Sequence, residues 1–265
     1  MTKRSLCLSP YNWLNIVVPT LTPSAEIVGL EATNLLLEDV NKVWGVEGLS
    51  AGSTDFSLDV DLGQDLEVGT VALTLGWRLD RPYKLLETPM MAQSDQIRIA
   101  IDNAAGTIGT GAIADTGTID CDIIDNIGYH VFHLATPAPA SKIRIEIDAI
   151  SRATEGYWWG SRLWVGPRHD FLRGHQYGHV EKTDFNEFDE PIRTPSFPMQ
   201  HVKHSEIDFM SRFEQLTTTK RQFLFTYDKA DPHTTSIIGK RDATTGFQSS
   251  FFKNYGFNMQ IRETW

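Results

Sequence analysis

Cysteine is nearly absent: Cys7 and Cys121 are the only two in 265 residues. That is too few for a disulfide-stapled secreted scaffold, so the fold is expected to stand on its core, with reduced thiols and synthesis in the cytosol. Long apolar runs are also missing. No window approaches the roughly 18 uninterrupted apolar residues of a membrane-spanning helix. The segment from Ser5 to Pro19 is broken by Pro10, Asn12 and Asn15, which argues against a signal peptide. A soluble chain without membrane insertion is expected. Basic residues are outnumbered, 24 Lys and Arg against 34 Asp and Glu, for a net charge of −10. Such a field repels a phosphate backbone, and nucleic acid is not expected as a partner.

Catalytic signatures are equally scarce. There is no G-x-S-x-G elbow and no H-E-x-x-H pair, and neither cysteine has the histidine context of a nucleophile. The stretch 104–117 carries Gly106, Gly109, Gly111 and Gly117, but no G-K-S or G-K-T ending and no helix-forming residues follow. It reads as a hairpin or surface loop and not as a phosphate cradle. His175 with His179, and His201 with His204, have metal-compatible spacing. Gly174 and Gly178 flank the first pair and Pro198 precedes the second, so exposed or interface histidines are expected in place of a metal site. Asp59 with Asp61, and Asp120 with Asp122, read as solvated carboxylates on the wet side of strands. No enzyme, no cofactor and no metal is the expectation.

What the chain has in quantity is period-two alternation. Phe56, Leu58, Val60 and Leu62 alternate with Ser57, Asp59 and Asp61; Ile97, Ile99 and Ile101 flank Arg98 and Ala100; Ile143, Ile145 and Ile147 flank Arg144 and Glu146. Each run buries one face and wets the other, the pattern of a half-buried strand in an all-β core. Gly63 is expected to end the first strand, and further strands are expected over Thr70–Trp77, Tyr129–Leu134, Lys142–Ala149 and Arg162–Val165.

The ends differ in character. Residues 1–24, with Pro10, Pro19 and Pro23, suit an extended arm or edge strand. Residues 25–167 hold the sandwich. Residues 168–204 contain Pro191, Pro195 and Pro198 and five histidines without clear period, and read as a linker or arm. In 205–265 the spacing of Ile207, Met210, Phe213 and Leu216 predicts a short amphipathic helix. Phe223–Tyr227, Ser236–Ile238 and Tyr255–Ile261 predict strands, for a small C-terminal α+β domain.

Asn34-Leu35 with Trp44, then DVDLG at Asp59–Gly63, VALTLGW at Val71–Trp77, KIRIEI at Lys142–Ile147 and RLWVG at Arg162–Gly166 together resemble a discoidin, or F5/8 type C, domain. The resemblance covers about half of the chain. It implies a mainly β fold, a discoidin-like (galactose-binding-like) jelly-roll sandwich, in a family that often binds glycans through loops at one end. FEQLTTTKRQFLFTYD and YGFNMQIRETW resemble the closing region of bacteriophage minor tail proteins. That second resemblance implies a structural component of a tail tip or baseplate, located in the virion tail and assembled in the host cytoplasm. Its partners would be other copies of itself, in a ring, and neighbouring tail proteins. The competing class is a glycan-binding module that recognises a host cell surface.

For the second class the candidate ligand residues are Trp44, Tyr157, Trp158 and Trp159, aromatics near expected loops whose faces suit sugars and protein interfaces alike. Packing at the end of the sandwich is the alternative role for the same residues. Trp77 and Trp164 lie within strand runs and are assigned to the core.

Overall fold

The computed structural model describes residues 6–38, 42–75, 95–121, 129–154, 156–171, 183–185, 191–217, 221–241, 248–251 and 254–264. In chain order the strands of the first half are β1 (Cys7–Ser9), β2 (Thr20–Pro23), β3 (Trp44–Glu47), β4 (Asp55–Leu75), β5 (Gln96–Asp102), β6 (Ala114–Asp115), β7 (Ile119–Asp120), β8 (Tyr129–Asp148) and β9 (Tyr157–Gly166). There follow β10 (His169–Asp170), β11 (Thr183–Phe185), β12 (Pro191–Arg193), β13 (Ser196–Lys203), helix α1 (His204–Thr217), β14 (Phe223–Thr226), helix α2 (Pro232–Thr235), β15 (Ser236–Arg241), β16 (Gln248–Phe251) and β17 (Asn254–Glu263). The fold is mainly β. The chain forms two compact units, one made of 12–167 and the other of 1–11 together with 168–264.

The 12–167 unit is a sandwich whose two halves share their longest strands. The first part of β4 pairs with β2 and with the end of β8, which continues to β5 and its short partners β6 and β7. The later part of β4 pairs with the start of β8 and with β9, and β9 pairs with β3. Gly63 does not end the strand as expected. It takes a φ of 75°, its N–H donates to Asp61 Oδ1, and the register with β8 slips between Asp61 and Leu66, so the strand bends through a bulge and carries on into the second half. Tyr129–Leu134 and Lys142–Ala149 are likewise one strand bent in the middle. Position 77 and the pair His175 and His179 lie outside the described residues, as does Asp122.

The alternation works as the sequence implies. Phe56, Leu58, Val60, Ile97, Ile99, Ile101, Ile143, Ile145 and Ile147 face Val71, Leu73, Leu163 and Val165 in one buried cluster. Asn12 ties the beginning of this unit to its end. Its Oδ1 accepts from Val165 N at 3.0 Å and from Leu14 N at 3.2 Å, while its Nδ2 donates to Leu163 O at 2.8 Å. The exposed edge of β3 is closed by a tight turn. Ile27 N donates to Gly45 O and Gly45 N donates to Leu30 O, which removes a free strand edge from the surface.

The other unit has the sheet order β10-β1-β14-β15-β17-β13, with β16 added on β17. Of the two expectations for 1–24, an extended arm or an edge strand, the arm needs correction and the edge strand holds for Thr20–Pro23. Cys7–Ser9 is a strand between β10 and β14, and Thr20–Pro23 is an edge strand of the sandwich. The reason is hydrophobic: Leu6 and Leu8 have no exposure and sit among Phe197, Phe213, Phe223 and Phe225. The segment 168–204 is not a structureless linker either. It contains a β11–β12 hairpin and β13, which is paired along β17. Its prolines fall at the start of β12, just before β13 and inside β13, and β13 is an edge strand, where proline costs the ladder little. The helix expected from Ser205 to Leu216 is α1, which places Met210 and Phe213 in the core. Phe213 meets Phe223 edge-on, with ring centroids 5.1 Å apart. His201 lies on β13 and His204 opens α1.

Neither cysteine is in a disulfide and both are buried, and burial pushes each thiol up to about 12. At neutral pH the thiolate fraction is then negligible. We expect a thiol-reactive dye to label neither site in the native protein and both after denaturation. Fast labelling of the folded chain would contradict the packing around them.

Candidate functional site

Two loops, β3–β4 and β8–β9, meet the start of β5 at one end of the sandwich. Hydrogen bonds across that end hold it together. Leu49 N donates to Gly156 O at 3.1 Å and Ala149 N donates to Thr54 O at 3.2 Å. Thr54 Oγ1 donates to the Asp148 carboxylate. The buried carboxylate of Asp95 accepts from Ser151 N at 2.6 Å. Backbone pinned in this way is a rigid platform for whatever side chains it presents.

β9 begins at this end and sorts its aromatics by parity. Trp158 points inward and has no exposure; it meets Trp44 edge-on at 5.3 Å and Phe56 at 4.8 Å. Trp44 is equally buried, and its indole N–H donates to Ala25 O at 3.1 Å. Gly160 makes room for this cluster, since a Cβ there would stand 2.7 Å from the Trp158 ring. Trp44 and Trp158 are therefore core residues and have no surface to offer a ligand, which corrects their assignment as binding residues. The cause is the β3–β9 register, which sets Val46 opposite Trp158 on the inner side.

Tyr157 and Trp159 occupy the outer side. Their rings lie parallel, 3° apart in tilt with centroids 4.8 Å apart, and Tyr157 is 40% exposed. Trp159 is half-buried against the core cluster, and its indole N–H, itself buried, meets no acceptor among the described residues. Glu47, exposed, sits directly across β3 from Tyr157. The pair is thus an aromatic wall with a carboxylate beside it.

The first half of the sandwich, where the start of β4, the end of β8 and β5 lie side by side, carries a cleft of about 510 Å³ at the same end. Phe56 and Ile147, from the same strands, are among its lining residues. Its walls are the outward side chains Asp55, Ser57, Gln96, Arg98, Glu146 and Asp148. Arg98 is engaged on two sides, with Glu146 at 2.9 Å and Asp115 at 2.5 Å, and it holds the Asp115 carboxyl below its ordinary range. Sequence alternation placed these residues on a wet face. It gave no sign that strands so distant in sequence would align them into a cleft.

The Gly-rich stretch folds beside the same face as a loop gathered around one carboxylate. Asp102 accepts from Thr110 Oγ1 at 2.5 Å, Ala112 N at 2.7 Å and Gly111 N at 3.1 Å. Burial would raise this acid, but those donors outweigh it and hold it below its ordinary value. Lys142 Nζ donates to Ala104 O and Gly106 O at 2.9 and 2.8 Å. The loop's amides thus turn inward to a protein carboxylate, which leaves Gly111 and Ala112 no N–H for a phosphate. Among the described residues no three His, Cys, Asp or Glu side chains come together to hold a metal ion.

No protein-family model matches the chain, and no curated protein does. Solved structures do. A family 32 carbohydrate-binding module from C. perfringens NanJ, in complex with galactose, is 17% identical, with a TM-score of 0.40 over 62% of this chain and 99% of its own. The lectin domain of lectinolysin complexed with Lewis B antigen is 15% identical, with a TM-score of 0.39 over 58% of this chain and 96% of its own. A chitosan-binding module from a chitosanase/glucanase of Paenibacillus sp. IK-5 is 18% identical, with a TM-score of 0.39 over 58% and 98%.

Proposed function

We propose that 12–167 is a non-catalytic module that binds a surface glycan through Tyr157 and Trp159. The observation that carries this reading is the parallel pair of outward rings on a pinned strand end, with Glu47 alongside. A sugar ring has an apolar face that stacks on an aromatic ring, and its hydroxyls need a nearby acceptor; the aromatic wall and the carboxylate supply one each. The expected fold family, in which glycans are held at one end of a jelly roll, agrees with this placement.

A second reading keeps the chain as a structural component of a bacteriophage tail, contacting copies of itself and neighbouring tail proteins. It is favoured by Val18 and Val28, large apolar side chains that are 96% and 97% exposed and would suit burial against another chain.

One experiment separates the two. The full chain is applied to a glycan array, affinities are measured for the hits, and its mass in solution is taken by light scattering. The glycan reading expects a hit whose affinity drops at least about ten-fold, some 1.4 kcal/mol, in Tyr157→Ala and in Trp159→Ala. Hits that ignore both substitutions, or a ring-sized particle that binds no glycan, would overturn it, and the ring would favour the tail component.

A further inference from the structure

The outer side of the β3–β9 pair surrounds the two exposed-side rings with groups of very different kinds. Along β9, Trp159 covers one face of the Tyr157 ring, the two lying parallel at 4.8 Å. Across the ladder Trp159 faces Gly45, and Leu30 and Ile27 fill the place of the missing side chain: a Cβ there would stand 2.8 Å from Leu30 Cδ1 and 3.2 Å from Ile27 Cδ1. Trp159 is thus flanked by apolar groups, and the face of Tyr157 turned away from it is the one left for a ligand. Beside that ring, on the same side of the sheet, stands Glu47. Its carboxylate makes no hydrogen bond and no ion pair among the described residues, so its charge is uncompensated. The approach is open, since a Cβ on the next residue, Gly48, would meet nothing within 4 Å.

The segments that build this surface supply no positive charge. Residues 43–51 and 153–161 contain Glu47 and Glu155 and no Lys, Arg or His. Arg152 and Arg162, the next cations along the chain, are 5% and 3% exposed. Across 5–77 Lys42 is the only basic residue, and it lies before the opposite end of β3 from Glu47. We propose that Glu47 is the specificity-determining residue of the site, turning away glycans that carry a carboxylate or a sulfate and restricting the ligand to uncharged sugars. The proposal rests on the glycan reading above. An acidic sugar on Tyr157 sets its charge beside an unpaired carboxylate, in an acidic field, with no cation to receive it. A neutral ring instead donates its hydroxyls to the same oxygens. One side chain therefore attracts one class and repels the other, and specificity comes from the repulsion as much as from the contact.

The test is an array on which each neutral oligosaccharide stands beside its sialylated, sulfated and uronic-acid counterparts. It is probed at low ionic strength with the full chain as wild type, Glu47→Gln, Glu47→Asp and Tyr157→Ala. The wild type is expected to favour neutral members over their acidic counterparts by about ten-fold, an advantage that shrinks as salt is added. Glu47→Gln keeps an acceptor and loses the charge, and should abolish the preference; Glu47→Asp keeps the charge and should retain it. Glu47 is exposed and holds no other described residue, so both variants are expected to fold. Acidic glycans bound as tightly as neutral ones by the wild type, a preference untouched in Glu47→Gln, or its loss in Glu47→Asp would each overturn the proposal. Tyr157→Ala separates the two readings. If it abolishes binding while the wild type accepts acidic glycans, the charge filter falls alone. If the hits ignore it, or no glycan binds at all, the aromatic site falls and the filter with it.

Discussion

Trp158→Ala is expected to destabilise the sandwich by about 4 kcal/mol, the range for emptying a large aromatic site in a core. The removed indole leaves Trp44 and Phe56 without the ring they each meet at about 5 Å, and edge-to-face pairs add to the loss beyond buried area. Gly160 deepens the effect, because the space it keeps open for the indole then has no occupant. The neighbouring Tyr157→Ala should shift stability by well under 1 kcal/mol, as surface truncations do. Denaturant titration monitored by fluorescence measures both. A loss below about 1 kcal/mol for Trp158→Ala would mean that the three rings do not form a core cluster.

Asp102→Ala should be nearly as costly, about 3 kcal/mol, since it strands a hydroxyl and at least two N–H groups that converge on a buried carboxylate. The consequence is local before it is global. Hydrogen exchange should speed up across 103–113 while the β5–β8 ladder stays protected. Acid should reproduce the effect in the wild type. The folded-state acid is held below its ordinary value, so its contribution is complete above the unfolded pKa and is lost as pH falls through the lower folded one. Loss of protection in this loop only above neutral pH would contradict the assignment.

The two expected effects show where sequence reading reaches and where it stops. Strand identity was legible because Phe56–Leu62, Ile97–Ile101 and Ile143–Ile147 alternate cleanly, and the helix over 204–217 because its apolar residues keep a helical spacing. What failed depended on register. Trp44, Trp158, Tyr157 and Trp159 look alike in sequence, and only the pairing of β3 with β9 sends two inward and two outward. The cleft walled by Asp55, Gln96, Arg98, Glu146 and Asp148 is likewise invisible until strands distant in the chain are laid side by side. Gly63 misled because a positive φ serves a bulge as well as a turn. The short β1 was missed because a strand of Cys7–Ser9 is too brief to show any period; its role comes from the partners that bury it.

That strand has a consequence for how the molecule is made. A ribosome releases Leu6 and Leu8 before the sandwich, yet β14, the strand they must lie against, is synthesised only after the whole of 12–167. The sandwich is contiguous and can complete itself during translation, whereas the unit that begins with β1 closes only when the last strands have emerged. In the interval the leading hydrophobic segment stays uncovered, so slowing or truncating synthesis should harm this unit far more than the sandwich.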